Sequence, residues 1–432
     1  MTPRSLVPLS TIGNELVGSP RFVSALSLCS IGTAVLARAI ERTIGFAGLT
    51  AMLSALVILA ALSLVARRDS LQWQGLLPLS LLGFFGWASI SILWSQYQWA
   101  SLGGLAYLLA YSFLGVYIAV LRDLIQIVRA FGDVLRLVLA VSLGLEIFSG
   151  VLIDMPIAFL GIQGRLAELG PIQGLLGNRN QLALVALLAA ITFGTELRTR
   201  SVNRFTGVVS LALAAVMLAL SRSVVIGGVL LLALAATAAL YAVRRVPAAS
   251  RTYWQLGLLT VAAIGGGIAW FLRSRIVGLF NASGDLDQRL DLWHQISLIA
   301  APHTLEGWGW IGRWRTDIPP YNVFVGPTAA APTSALNAFA DLWLQIGLIG
   351  AAIFTGVLGF AFVRSWLLAG RRRSIVFAWP AIVLVALVGA AFFESWVVVE
   401  YSWLLFVVCC IKAARELSWR RAFSPRLEPE LE

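Results

Sequence analysis

Histidine and cysteine are almost missing from this chain of 432 residues, which holds two of the first and three of the second. Such scarcity leaves no zinc ligand set, no CxxC pair and no disulfide framework. Cys29, Cys409 and Cys410 all lie inside apolar segments, so they say nothing about redox compartment. Charge is scarce as well: 12% of the residues are Asp, Glu, Lys or Arg, about half the share of an ordinary soluble protein. There is no Walker loop, GxGxxG turn, HExxH or GxSxG, so the usual signatures of nucleotide binding, zinc proteolysis and α/β-hydrolase chemistry are absent. What abounds is apolar. Hydrophobic residues reach 59% and mean hydropathy is +0.86, more than a soluble fold can bury and incompatible with disorder. The composition is that of an integral membrane protein.

The 32 basic residues exceed the 21 acidic ones, for a net charge of +11. They are nearly all arginine, with Lys412 the single lysine, and most sit in short stretches between apolar runs. That placement reads as a topology signal rather than a nucleic-acid footprint. A helix needs about 20 apolar residues to cross the hydrocarbon core. Twelve candidate segments fall near 22–37, 43–65, 76–94, 102–121, 131–153, 181–196, 206–220, 224–242, 254–272, 338–363, 376–393 and 397–411. The expected fold is an all-α polytopic membrane protein of about twelve transmembrane helices, residues 1–272 carrying the first nine and residues 338–411 the last three. An even number puts both termini on one side. With that side inside, 22 basic residues lie inside and 10 outside, so both termini are expected in the cytoplasm. The polar N-terminus leads straight into a span, and no cleavable signal peptide is expected.

Two outer connections are too long to be turns. One covers residues 154–180. The other, residues 273–337, holds GWGWIGRW (307–314) with Pro319 and Pro320, a cluster expected to form a compact, membrane-hugging lid. Residues 412–432 read as a cytoplasmic tail.

Candidate chemistry gathers on the outer side. Arg222, in LALSRSVVIGG, has apolar runs on both flanks. An ionisable residue at membrane depth reads as functional with a buried partner, or else as an arginine snorkelling from a helix end. The stretch 286–300 has the spacing of an amphipathic helix, with Trp293, Ile296, Ala300 and Leu286 on the same face as Arg289. Asp287, Asp291, His294 and Gln295 lie opposite. A guanidinium on the apolar face suits an external phosphate; a salt bridge to an acid elsewhere in the fold is the other reading. His294 on the polar face and His303 in a Pro-flanked turn read as solvated surface. Asn337, Asp341 and Gln345 form a polar stripe entering the tenth span, with Ser334 a candidate cap. The stripe reads either as an anion site at a helix N-terminus or as a seam packing against neighbouring helices. Arg179 in GNRNQLA reads as a ligand or part of a capping turn, and Glu394 and Glu400 are placed to neutralise one of the arginines.

These residues carry a resemblance. GNRNQLA before a span, SR between two spans, QRLDLW followed by EGWGW, and SALNAFADLWLQIGLIG resemble, in order and spacing, the bacterial O-antigen ligase and O-antigen polymerase superfamily. The motifs cover roughly residues 175–350. The resemblance implies a GT-C-like membrane glycosyltransferase of the bacterial inner membrane. It implies action on the outer face on an undecaprenyl-diphosphate-linked glycan donor, with a lipid or glycan acceptor and no metal or other cofactor. It also implies that Arg222 and Arg289 hold the donor's diphosphate, and that Asn337 is the Asn of the family's HN motif. The residue before that Asn is usually the His taken as the base; here it is Leu336. The branch therefore uses another group, Asp341 being the nearest candidate, or it does not transfer, or the residue was deliberately replaced. Rivals from other classes are a flippase for lipid-linked sugars and a non-catalytic glycan-binding protein.

Overall fold

The computed structural model describes residues 16–70, 77–247, 249–272, 275, 283–324 and 332–416. Parts of the long connection and most of the expected tail (417–432) lie outside the described residues. A bilayer core offers the backbone no hydrogen-bond partners, so apolar segments of this length satisfy their own N–H and C=O groups as helices. The helices are α1 (Pro20–Val35), α2 (Ala37–Ala66), α3 (Leu79–Ile90), α4 (Gln98–Leu121) and α5 (Leu124–Ile147). Then come α6 (Arg179–Thr199), α7 (Arg204–Ser221), α8 (Val224–Arg245), α9 (Arg251–Phe271) and α10 (Ser283–Ala300). The last are α11 (Ala338–Arg371), α12 (Ala378–Ala391) and α13 (Glu400–Glu416). No strand occurs among the described residues.

Every apolar segment coincides with one helix, and α10 is the additional one. Among the described residues, seven helices (α2, α4 to α8 and α11) are long and apolar enough to cross a membrane on their own, and α1, α3 and α12 are shorter apolar helices. The core sits where α6, α12 and α13 meet, with Trp379 and Trp403 about 1% exposed. The Trp379 indole N–H donates to Thr192 Oγ1 at 3.1 Å. By contrast α7, α8 and α9 present apolar exteriors, including Phe205, Leu231 and Phe271, as lipid-facing helices do.

Loop contacts sort into two ends. At one end Arg67 donates to the Gly18 carbonyl at 2.7 Å, Lys412 to that of Arg122 at 2.6 Å and Arg244 to that of Arg372 at 2.9 Å. At the other Arg42 donates to the Leu160 carbonyl at 2.9 Å, and Arg313 meets Glu41 at 2.8 Å and Glu400 at 3.1 Å. This is the grouping of turns that an alternating path through a bilayer requires.

α11 is broken directly after the last residue of its polar stripe, at Ile346 and Gly347, where Gly347 adopts φ 69°. The Trp-rich stretch fills the break: the Trp308 and Gly309 N–H groups donate to the Leu344 and Gln345 carbonyls at 3.0 and 2.7 Å, and the Leu348 N–H returns to the Thr304 carbonyl at 2.9 Å. Gln345 clamps the same stretch, its Oε1 accepting from the Ile311 and Gly312 N–H groups and its Nε2 donating to the Gly312 carbonyl. Trp310 and Trp314 are buried, and Trp314 stacks on Phe324. The stretch is thus docked into the helices rather than lying on them as a lid.

A Cβ on Gly347 would lie 1.9 Å from the Leu305 carbonyl oxygen. Gly347→Ala is therefore expected to undock the stretch. The left-handed backbone alone accounts for more than about 1 kcal/mol, and the clash adds to it. Limited proteolysis within residues 301–324 in nanodiscs measures this, with cleavage rising at least about fivefold, the ratio that 1 kcal/mol implies.

Candidate functional site

Four turns converge on one carboxylate. The first is the start of α6, where Asn178 caps the helix by accepting from the Asn180 and Gln181 N–H groups. That cap turns the next two side chains inward: Asn180 Nδ2 donates to Glu394 Oε1 at 2.7 Å. The second is the α7–α8 turn, which reverses the chain through one residue. Arg222 takes φ 49° as the C-cap of α7, and Ser223 caps α8 by accepting from the Ile226 N–H. The Ser223 hydroxyl donates to Asn180 Oδ1 at 2.7 Å, which ties the Arg222 turn to the Asn180–Glu394 pair.

The third is α10. Its buried face holds Arg289, Leu292, Ile296 and Ala300, while Asp287, Asp291 and His294 are exposed. Arg289 is 8% exposed. Its Nη2 meets Glu394 Oε1 at 3.2 Å, and its Nη1 donates to the carbonyls of Leu336, at 3.1 Å, and Phe393. Trp293 anchors the same helix by donating to the Ala335 carbonyl at 2.9 Å. The fourth is the head of α11, capped not by Ser334 but by Asn337, whose Oδ1 accepts from the Phe339 and Ala340 N–H groups. The Asn337 N–H donates to Ser395 Oγ at 3.3 Å. Leu336 precedes the cap at φ 51°, a conformation that His adopts more readily than a bulky apolar residue.

Glu394 is 1% exposed, and its Oε2 is buried without a hydrogen-bond partner. Burial pushes its carboxyl above the ordinary range, against the lowering pull of Arg289, Asn180 and Arg179. A carboxylate in this setting is held ready to take a proton and is surrounded by cations.

Three expectations are corrected. Arg289 is not free for an external anion, because the Glu394 carboxylate already faces its fork; helical spacing shows only neighbours on its own helix, and this partner is 105 residues away. Arg222 is not enclosed: its side chain is exposed at the tip of the turn. The polar stripe divides. Asn337 is a cap, whereas Asp341 is 2% exposed and accepts from the Trp314 indole at 2.7 Å and Gln345 Nε2 at 2.8 Å. Asp341 and Gln345 hold the Trp-rich stretch, so Asp341 is a docking residue rather than the nearest substitute base.

Arg179 is half-buried and acts electrostatically on Glu394. His294 is exposed and His303 pairs with Glu306 at 2.9 Å. Glu400 pairs with Arg313 at the end of the bundle that also holds Glu41, beside Arg38. No group of His, Cys, Asp and Glu among the described residues is arranged to hold a metal ion. The most evident open cavities lie elsewhere. One, of about 470 Å³, is lined by Asp154, Arg165 and Glu168; another, of about 460 Å³, by Asp123, Ser365 and Lys412. Neither contains the convergent residues, whose signature is charge rather than volume.

A search of curated proteins finds no match to this chain. Residues 207–355, from α7 through the first half of α11 and including Arg222, Arg289 and Asn337, match the model of the O-antigen ligase family. Over that third of the chain the sequence is similar to the O-antigen ligase family.

Proposed function

We propose that the protein is a membrane glycosyltransferase that moves a glycan from an undecaprenyl-diphosphate donor to a lipid or glycan acceptor, on the outer face of the bacterial inner membrane. The observation that carries this reading is the gathering of Arg289 and Arg179 at one buried carboxylate, with the turn that carries the exposed Arg222 tied to the same carboxylate through Ser223 and Asn180. A diphosphate gains negative charge as the glycosidic bond breaks, and guanidiniums fixed in a partly dry site complement that gain more strongly in the transition state than in the ground state. The exposed Arg222 meets the diphosphate first. Arg289 meets it from the apolar interior, where its planar fork donates to phosphate oxygens in place of Glu394. The docked Trp-rich stretch keeps the head of α11 fixed and limits water, which competes as acceptor. The apolar exteriors of α7 to α9 offer a lipid tail a place beside the Arg222 turn. Arginine carries the electrostatic work here, so neither a metal nor a nucleotide sugar is needed.

The test is a reconstituted reaction with purified protein and undecaprenyl-diphosphate glycan, following free undecaprenyl diphosphate. Release with growth or transfer of the glycan supports the proposal. Translocation of intact donor without release assigns the protein to lipid-linked sugar transport instead, and binding alone assigns it to glycan assembly.

The orientation is a separate expectation, drawn from the basic residues at the Arg67, Arg198 and Arg372 end. Single cysteines are introduced at Thr316 and Ser374, both exposed, in a chain lacking its native cysteines. In intact spheroplasts an impermeant thiol reagent is expected to label the Thr316→Cys variant and not the Ser374→Cys variant. The reverse pattern would put the convergent site in the cytoplasm and end the proposal.

A further inference from the structure

Glu394 does nothing yet in the reaction as described, although it is the point at which the four turns meet. We propose that Glu394 is the general base of the transfer, taking the proton of the acceptor hydroxyl on Oε2 once donor binding has drawn Arg289 from Oε1 to the diphosphate. This rests on the glycosyl-transfer reading and supplies the proton acceptor that Leu336 cannot be.

The geometry favours Glu394 over the other acids. Asp341 is spent on Trp314 and Gln345, and Glu400, whose Oε1 also lacks a hydrogen bond, pairs with Arg313 and Arg38 rather than with the turns that carry Arg289 and Asn337. Glu394 has one oxygen engaged, by Asn180 and Arg289, and one buried oxygen without a hydrogen bond. It also adjoins Leu336: the same guanidinium nitrogen of Arg289 that donates to the Leu336 carbonyl donates to that of Phe393, the residue before Glu394. The carboxylate therefore reaches the neighbourhood in which the family's His would stand.

The step balances. The acceptor O–H bond breaks and its proton passes to Oε2, while the acceptor oxygen forms a bond to the anomeric carbon. The bond from that carbon to the diphosphate oxygen breaks, and its electron pair leaves with the lipid diphosphate. The leaving group then carries one negative charge more than the donor did. At the same moment protonation removes one negative charge from beside Arg289 and Arg179. The base thus releases cationic field when the leaving group needs it, an economy that a neutral His, turning positive, would reach differently. Burial already favours the protonated carboxyl.

Several charged and titratable groups face Glu394. Arg289 comes from α10, Arg179 from α6 and Tyr401 from α13, while the α7–α8 turn that carries the exposed Arg222 reaches the carboxylate through Ser223 and Asn180. Asp341 of α11 reaches the adjacent Ser395. Glu394 and Asp341 are the carboxyls of this set, and Asp341 accepts hydrogen bonds from Trp314 and Gln345, so an acidic limb in the rate profile is read at Glu394. Transfer is expected to fall as pH drops and Glu394 becomes protonated before the acceptor arrives.

The experiment compares the full-length protein in nanodiscs with Glu394→Gln and Glu394→Asp, measuring donor binding with a non-transferable undecaprenyl-diphosphate analogue and lipid release across pH. Glu394→Gln is expected to bind the analogue as well as the parent or better, because it keeps the shape and drops a competing negative charge. Its release rate should fall about 10²–10⁴-fold, the usual contribution of a general base, and the acidic limb should vanish. Glu394→Asp should retain the limb at a reduced rate. Release within about threefold of the parent with the limb intact would overturn the proposal. So would a loss of analogue binding that matches the loss of rate, since Glu394 would then only position Arg289. Absence of lipid release from the parent itself is a different failure, that of the glycosyl-transfer reading.

Discussion

Arg289→Ala is expected to lower glycan transfer by about 30-fold to a few thousandfold and to destabilise the protein. The two losses have different origins. Truncating one partner of a buried, hydrogen-bonded charge pair costs about 2–5 kcal/mol of binding, and each 1.4 kcal/mol is about tenfold. In the protein without donor, the same change leaves Glu394, 1% exposed, as a buried carboxylate without its guanidinium, and strips the carbonyls of Leu336 and Phe393 of a donor. Breaking a buried pair in this way destabilises by about 3–5 kcal/mol, or the carboxyl takes up a proton to avoid it. Arg289→Ala combined with Glu394→Gln is therefore expected to recover thermal stability without recovering transfer. Arg289→Lys should restore part of both, because the ammonium keeps the charge and lacks the fork. Thermal unfolding in detergent and lipid release, measured on all four proteins, separate the effects. Normal transfer by the Arg289→Ala protein at normal abundance would remove this residue from the site.

The second large effect is expected at Arg222, with the opposite division. Its side chain is exposed and its backbone is left-handed at φ 49°, a conformation that costs an L-residue roughly 1–2 kcal/mol and glycine nothing comparable. Glycine's greater freedom in the unfolded chain offsets about 0.5–1 kcal/mol of that relief. Arg222→Gly is thus expected to leave stability unchanged or slightly raised. Transfer should fall roughly tenfold to hundredfold, since a charge-assisted hydrogen bond contributes about 1.5–3 kcal/mol. A stability loss with full transfer would mean that Arg222 serves the turn and not the donor.

How far the sequence reaches is clearest at these two arginines. The period of 3.6 put Arg289 among Ile296 and Ala300 on one face, and the structure buries that face. Its partner was out of reach, because Glu394 lies on the far side of α11 in the chain and no local spacing links them. In the sequence Glu394 stands out only as an acid at the end of an apolar run, able to neutralise some arginine. At Arg222 the flanking apolar runs suggested enclosure, but Ser221 and Ser223 gave the better signal. A serine able to cap α8, directly after a residue free to turn left-handed, marks a tight reversal whose tip is exposed. The stripe of Asn337, Asp341 and Gln345 was readable as a polar face and not as two functions. What splits it is the Gly347 break, which lets the Trp-rich stretch reach Gln345. The helices themselves were easier. In lipid the backbone has no alternative to internal hydrogen bonds, so apolar length alone located them, whereas the docking of loops depends on long-range contacts that hydropathy does not contain.

The most direct test of the central claim is a structure of the protein in nanodiscs with a non-transferable undecaprenyl-diphosphate analogue bound. The account predicts the diphosphate between Arg222 and Arg289, close to Arg179. Arg289 should have moved off Glu394 and the lipid tail should run along α7 to α9. A diphosphate bound at the opposite end, beside Lys412 and Arg122, with the Arg289–Glu394 pair still closed, would contradict it.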